Sequence, residues 1–411
     1  MLKELQLWNW RQFGEIGINF HDRLTVLTGA NGSGKTTILN LLSQHFGWSF
    51  QYLSQPMLDR KGALQYFSGA SESLEKTGNR RLVGRLTYAN GHESTISVPT
   101  EVQASYDAVI DSRQQLPGIY LPSHRPAYSY HPVTEIPTQV DAREQLFEQY
   151  LSNLRNFWVY NSRIESPSLR LKRALISLAT FGYGNVAVEP NLEARDTFEG
   201  FQRILSVVFP NHLGFRRLLI RTPEVVLETD SGTWSLDAAS GGIAALIDLA
   251  WQMYMRSLTV DHGAFVVVAD EPENHLHPAL QREVMPKMLK AFPGAQFIVA
   301  THNPFVVSSV RDSLVFALRF ENQRVAADQL DLVEKAGTAN DILREVLGVP
   351  IPLPVWVEEA VDKLVHSIDP AHVSASSIQH LRDGLNEIGA GRQFSPVLDR
   401  ILETDAPADQ D

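Results

Sequence analysis

The run Gly29-Ala30-Asn31-Gly32-Ser33-Gly34-Lys35-Thr36 constrains this chain more than any other, because its spacing is G-x-x-x-x-G-K-T. It follows the apolar stretch Leu24 to Leu27 and precedes Ile38, Leu39, Leu41 and Leu42, whose spacing predicts a helix from Lys35 with one buried side. A strand, a glycine-rich turn and a helix in that order wrap backbone N–H groups and a helix N-terminus around an anion. Lys35 is then the counter-charge for β and γ phosphates, and the Thr36 hydroxyl is a ligand for Mg²⁺. Gly29, Asn31, Gly32, Ser33, Gly34, Lys35, Thr36 and Thr37 are the candidate phosphate-binding residues. The chain holds no Asn-Lys-x-Asp element that would read guanine, so ATP is the expected nucleotide.

A second run, Ala264-Phe265-Val266-Val267-Val268-Ala269-Asp270-Glu271, is apolar until it ends in two carboxylates. That pattern suits a buried strand delivering acids to the carboxyl edge of a parallel sheet. Asp270 is the second candidate for the metal, and Glu271 is the candidate for polarising an attacking water. Two acids at a strand end also begin ordinary loops; pairing with the phosphate loop is what gives them chemical meaning.

The remaining periodicities sketch the architecture. Leu2, Leu5 and Leu7, then Ile16, Ile18 and Phe20, predict strands around a turn near Gly14, and the region from Arg80 to Val98 predicts a hairpin turning at Asn90-Gly91. These make a small antiparallel sheet beside the nucleotide. Residues 141–209 are helical in pattern, in short pieces broken at Ser166-Pro167-Ser168 and at Gly182 to Gly184, so no sustained heptad run and no long coiled-coil arm is expected. After Leu236 a helix from Gly241 to about Arg256, a strand Ala264 to Ala269, a helix Pro278 to Ala291 and a strand Gln296 to Ala300 alternate, as in an α/β fold with a mostly parallel central sheet. The expected division is an ATPase domain over residues 1–349, with a helical insertion at about 126–210, and a helical C-terminal tail over 350–411. Prolines 350, 352 and 354 form the joint, and helical patterns run near Val355 to Ile368, Ser374 to Ile388 and Ser395 to Leu402.

Four stretches together resemble the SMC/RecF/OLD branch of ABC-type ATPases, particularly the stand-alone ATPases of bacterial defence operons. They are Leu7-Trp8-Asn9-Trp10-Arg11-Gln12-Phe13, Ala239-Ser240-Gly241-Gly242-Ile243, Asp270-Glu271-Pro272-Glu273-Asn274-His275-Leu276-His277-Pro278 and Thr301-His302-Asn303-Pro304. The likeness covers roughly residues 1–320 apart from the helical insertion. Ala239 and Ile243 depart from the usual Leu-Ser-Gly-Gly-Gln signature, while the serine and both glycines are retained.

The resemblance implies a P-loop NTPase fold of ABC type and an enzyme that hydrolyses ATP with Mg²⁺. It also implies a head-to-tail homodimer, or a higher homo-oligomer, in which Ser240, Gly241 and Gly242 of one copy close on the ATP of the other. Glu271 and His302 are the implied catalytic pair, His302 donating a hydrogen bond to the γ-phosphate. The loop Asn274 to His277 would join the two sites, with a metal site from His275 and His277 as the alternative, and Arg11 would reach the nucleotide. The family's glutamine loop should follow the expected strand Gly118 to Leu121. Pro122-Ser123-His124-Arg125 contains no glutamine there: either Ser123 replaces it or the loop lies elsewhere. The implied role is control of a separate effector, such as a nuclease, in anti-phage defence or DNA maintenance. A RecF- or SMC-like repair ATPase acting directly on DNA is the rival within the class, and a nucleotide-gated scaffold holding a partner through the C-terminal tail is the rival outside it.

Bulk properties limit the partners. With 411 residues, 44% of them hydrophobic, the chain can bury a large core, and no stretch is long and apolar enough to span a bilayer, so a cytoplasmic location is expected. The absence of cysteine removes disulfides, zinc–thiolate sites and thiol nucleophiles. A net charge of −11 repels nucleic acid overall, so DNA binding needs a local basic face. Leu151 to Glu224 is the candidate: Arg155, Arg163, Arg170, Lys172, Arg173, Arg195, Arg203, Arg216, Arg217 and Arg221 stand against six acids, an excess that an ordinary solvated surface also explains.

Overall fold

A computed structural model describes residues 1–58, 60–124, 130–137, 143–160, 166–348, 355–366, 374–391, 394 and 398. The chain forms two compact units, Met1–Ile342 and Leu343–Asp411.

Among the described residues, six strands make the central sheet of the first unit. Their order is Gly118–Leu121, Phe265–Asp270, Ala295–Ala300, Leu24–Gly29, Leu314–Glu321 and Arg324–Gln329. The first five run parallel, and the last pairs antiparallel with its neighbour. Leu24–Gly29, Phe265–Asp270 and Ala295–Ala300 are buried at every position. Burial on both faces is why Phe265 to Ala269 read as an unbroken apolar run, and why the other two strands are interrupted only by Thr25, Thr28 and Gln296 and do not alternate. Each Val, Leu, Ile or Phe so buried contributes roughly 1.5–3 kcal/mol. The register pairs Leu121 with Ala269, Asp270 with Ala300 and Ala300 with Leu27. The segments that follow these strands therefore leave one edge of the sheet side by side, the edge where α/β sheets bind ligands.

The helix opened by the phosphate loop, Lys35–Ser43, buries Ile38, Leu39, Leu41 and Leu42 as its spacing requires. They join one core with Leu5, Leu7, Ile16 and Ile18 of the antiparallel sheet. That sheet has the order Val109–Asp111, Glu93–Pro99, Arg80–Tyr88, Leu2–Trp8, Glu15–Asn19, and its hairpin turns at Asn90-Gly91, with Gly91 at φ +82. Asn-Gly supplies the positive φ such a turn demands.

The insertion forms the helices Arg143–Tyr160, Pro167–Tyr183 and Leu192–Val208. Ser166 caps the second by accepting from the Leu169 N–H, with Pro167 at the first helical position; Asn191 caps the third in the same way. One element went unread in the sequence, and one expectation needs correction. Between the insertion and Ser240 the chain builds a three-stranded antiparallel sheet, Phe215–Arg221, Glu224–Thr229 and Gly232–Ser235, which the helical reading omitted although Asp230-Ser231-Gly232 marks a turn. The helix expected over Pro278 to Ala291 is two, Pro278–Gln281 and Val284–Ala291. Pro286 is the cause: it has no N–H for the Arg282 carbonyl, and its ring crowds that carbonyl.

Much of the basic excess is consumed internally. Arg155 faces Glu148, Arg173 faces Glu135, Arg195 lies near Asp196 and Glu199, Arg216 meets Asp230 and Arg217 meets Glu228. Arg163 lies outside the described residues. Among the described residues, no helix is long and apolar enough to cross a membrane.

In the second unit the helices Val355–His366 and Ala375–Glu387 pack through Val357, Val361, Leu381 and Leu385. Ser374 caps the latter helix. The proline joint at 350, 352 and 354, and the helix expected over Ser395 to Leu402 apart from Leu398, lie outside the described residues.

Candidate nucleotide site

The phosphate loop is held open by backbone that only glycine adopts readily. Gly34 caps the Lys35 helix at φ +98, and a Cβ there would overlap the side chains of Gln12 and Phe13. Asn31, Gly32, Gly34, Lys35, Thr36 and Thr37 line a cavity of about 440 Å³ together with Arg11, Gln12, Ser123, Asp270 and Glu271. Lys35 Nζ donates to the carbonyls of Gly29 at 2.8 Å and Ala30 at 3.1 Å, which holds the ammonium at the mouth of the loop. Burial lowers the pKa of Lys35, and the nearby Asp270 and Glu271 oppose that shift. The Ser33 side chain is fully buried, and its Oγ has no hydrogen-bond partner among the described residues.

Thr36 Oγ1 donates to Asp270 Oδ2 at 3.0 Å, so the two candidate metal ligands already meet. A hydroxyl and a carboxylate are hard oxygen donors, the chemistry suited to Mg²⁺. Burial pushes the Asp270 carboxyl up; the Thr36 hydrogen bond opposes this and the neighbouring Glu271 adds to it. Among the described residues no group of three or more His, Asp or Glu side chains could hold a metal on its own, and His275 with His277 forms no such cluster.

Glu271 stands just past the end of its strand at φ +46, a conformation uncommon for a residue with a Cβ. Its Oε1 lies 2.6 Å from His302 Nδ1, and its Oε2 accepts from Asn274 Nδ2 at 2.7 Å. Asn274 also donates to the Ser123 carbonyl at 3.2 Å. The two residues expected to be catalytic are therefore in contact, and the segment after Gly118–Leu121 is tied to them. Ser123, the candidate replacement for a glutamine, lines the cavity. Below this pair Glu273, buried, accepts from the Thr301 hydroxyl, which in turn accepts from the Asn303 N–H at 2.9 Å. That chain fixes the base of the His302 loop.

Ser240, Gly241 and Gly242 are elsewhere. Ser240 is the exposed residue before the helix Gly241–Leu258, its side chain makes no cap, and none of the three lines the cavity. Gly242 lies against the backbone of His275 and Leu276, so the signature turn and the loop Asn274 to His277 are neighbours within one chain.

Sequence reading missed Gln12 and Asn274 as individual contributors. Gln12 follows Arg11 in a stretch already singled out, and both line a second cavity of about 480 Å³ with Gln55, Phe67, Asn322 and Arg324. Arg11 itself, at φ +55, donates to the Leu53 carbonyl at 3.0 Å and lies over the Tyr52 ring.

Several known proteins are similar to this chain. Septu protein PtuA of Bacillus thuringiensis is 19% identical over 394 residues, covering 90% of this chain and 89% of that protein. Retron Vc95 probable ATPase of Vibrio cholerae serotype O1 biovar El Tor is 20% identical over 377 residues, covering 75% and 71%. The SMC head domain from Thermotoga maritima superposes with a TM-score of 0.43 at 16% identity, over 80% of this chain and 99% of that one. The family described as "P-loop containing region of AAA domain" matches residues 2–45. The family described as "AAA domain, putative AbiEii toxin, Type IV TA system" matches residues 24–308, from the phosphate-loop strand to beyond His302, and this protein belongs to it as an ATPase.

Proposed function

We propose that two copies of this chain pair head to tail around Mg²⁺ and ATP and that nucleotide state controls a separate effector protein. One observation carries the reading: the phosphate loop, Asp270, Glu271 and His302 converge on one sheet edge, while Ser240 and Gly241 stand exposed and all three signature residues lie outside the cavity. A site with its γ-phosphate grip on another surface is completed by a second copy presenting Ser240 to Gly242.

Thr36 and Asp270 would hold Mg²⁺, which when bound neutralises charge on the phosphates. Lys35 adds a fixed positive charge at the same oxygens. Glu271 takes a proton from the water that attacks the γ-phosphorus as the bond to the β–γ bridging oxygen breaks and ADP leaves. His302 positions Glu271 and donates to the γ-phosphate. Asn274 holds the other carboxylate oxygen and lies in the loop beside the signature turn, so closure across the dimer and orientation of Glu271 are linked.

The effector arm, in anti-phage defence or DNA maintenance, draws support from the toxin–antitoxin description of the family and from relatives named for Septu and retron systems. The pairing of Arg155, Arg173 and Arg195 in the insertion, and of Arg216 and Arg217 in the sheet after it, with neighbouring acids favours a protein partner over direct action on DNA.

The test uses Glu271→Gln. General-base loss lowers turnover by about 10²–10⁴-fold. The variant is expected to keep nucleotide affinity and, with ATP and Mg²⁺, to sediment as a dimer that Ser240→Arg abolishes. A Glu271→Gln chain that hydrolyses ATP at the wild-type rate, or stays monomeric with ATP, contradicts the proposal.

A further inference from the structure

The insertion carries a lysine whose side chain has no solvent exposure. Lys172 Nζ donates to Asp237 Oδ2 at 2.5 Å, to Glu224 Oε2 at 2.9 Å and to the His131 carbonyl at 3.1 Å. The Asp237 side chain is 4% exposed, and its Oδ1 has no partner among the described residues. Burial alone would lower the pKa of Lys172, but its bonds to Asp237 and Glu224 outweigh it and raise the value, so the ammonium stays charged.

A buried charge cluster is a poor stabiliser, because well-packed apolar side chains of similar volume commonly do as well or better. What it fixes is position, and the three elements it joins are not random. Asp237 sits in the short turn Leu236–Ala238, whose Leu236 carbonyl accepts from the Ala239 N–H directly before Ser240. His131 belongs to the segment that follows Ser123, which the same insertion helix also grips through Ser177 Oγ to the Pro137 carbonyl and Arg173 to Glu135. Glu224 opens the middle strand of the sheet leading to the signature turn. One helix, Pro167–Tyr183, thus holds both the segment that follows Ser123 and the turn that precedes Ser240.

We infer that Lys172 is a positioning residue for the signature turn: it anchors Asp237 so that Ser240 and the start of the helix Gly241–Leu258 stand where a second copy's ATP needs them. The inference rests on the head-to-tail reading. Through this anchor, a partner that moves the insertion helices moves the signature turn.

The test is subunit complementation. Lys172→Met strands the buried Asp237 and the half-buried Glu224 and can damage the fold, so the variant used beside it is Lys172→Met with Glu224→Gln and Asp237→Asn, which leaves no unpaired charge. This triple variant is expected to bind a fluorescent ATP analogue with wild-type affinity, because its own phosphate loop is intact, and to lose turnover at least tenfold. Lys35→Ala is inactive for the converse reason, having a sound signature turn and no phosphate grip. Mixing the two inactive chains should restore about a quarter of wild-type turnover, since half the dimers are mixed and one of the two sites in each is whole. Ser240→Ala mixed with Lys35→Ala is the control, because it removes the signature hydroxyl from the partner's ATP without adding bulk or charge at the contact. If the control recovers and the Lys172 mixture does not, or if the triple variant turns over normally, the anchor role is wrong. If the control itself fails to recover, the head-to-tail reading falls and takes the anchor role with it.

Discussion

Glu271 is held at φ +46 with both carboxylate oxygens engaged, by His302 on one side and Asn274 on the other. Backbone in that region costs of order 1–3 kcal/mol and persists only where its surroundings determine it. Here the surroundings are the Glu271 N–H to Ala300 carbonyl bond at 2.8 Å and the two side-chain contacts. A different residue contributes to the acid sensitivity of the fold. His45, at the end of the phosphate-loop helix, is pushed down to about 4 by burial, with Arg113 adding and its bond to the Leu42 carbonyl opposing. The unfolded chain takes up this proton near pH 6.5 and the folded one near 4. The stability it confers is therefore whole above pH 6.5 and is lost as pH falls toward 4, by up to about 3 kcal/mol. Urea midpoints measured from pH 7 to pH 4.5 should fall more steeply for the wild type than for His45→Gln; parallel slopes would remove His45 from the account.

The phosphate loop is the element on which everything else converges, and its geometry depends on Gly34. Alanine there combines a positive φ, costing roughly 1–2 kcal/mol, with overlap against a buried Phe13. Gly34→Ala is expected to weaken ATP binding about tenfold or more, and calorimetric titration at wild-type affinity would contradict that. The strand, glycine turn and helix of this element were legible in the sequence because they are set locally by the spacing of Gly29 to Lys35, whereas the packing of Gly34 on Gln12 and Phe13 was not. The buried strands were legible for the same reason, since largely apolar runs have few alternatives. The three-stranded sheet over Phe215–Ser235 was not, because Arg216 and Arg217 are paired across the sheet with Asp230 and Glu228, a relation visible only once the strands are aligned. The same holds for Asn274 and Ser123, far apart in sequence and joined at 3.2 Å by the parallel register of their strands.

At the scale of the molecule, the first unit supplies every group the sequence nominated for hydrolysis, yet not in one place. Gly29 to Thr36, Asp270, Glu271 and His302 share an edge; Ser240 and Gly241 face solvent, and Gly242 beside them lies outside the cavity. ATP turnover per chain should then depend on protein concentration, in a way that turnover at a complete single-chain site would not. The direct measurement is the ATPase rate per chain across a dilution series with Mg²⁺ and saturating ATP, with sedimentation at each point. The account predicts a rate per chain that falls as the dimer dissociates. A rate per chain that holds constant in samples containing only monomer would contradict it.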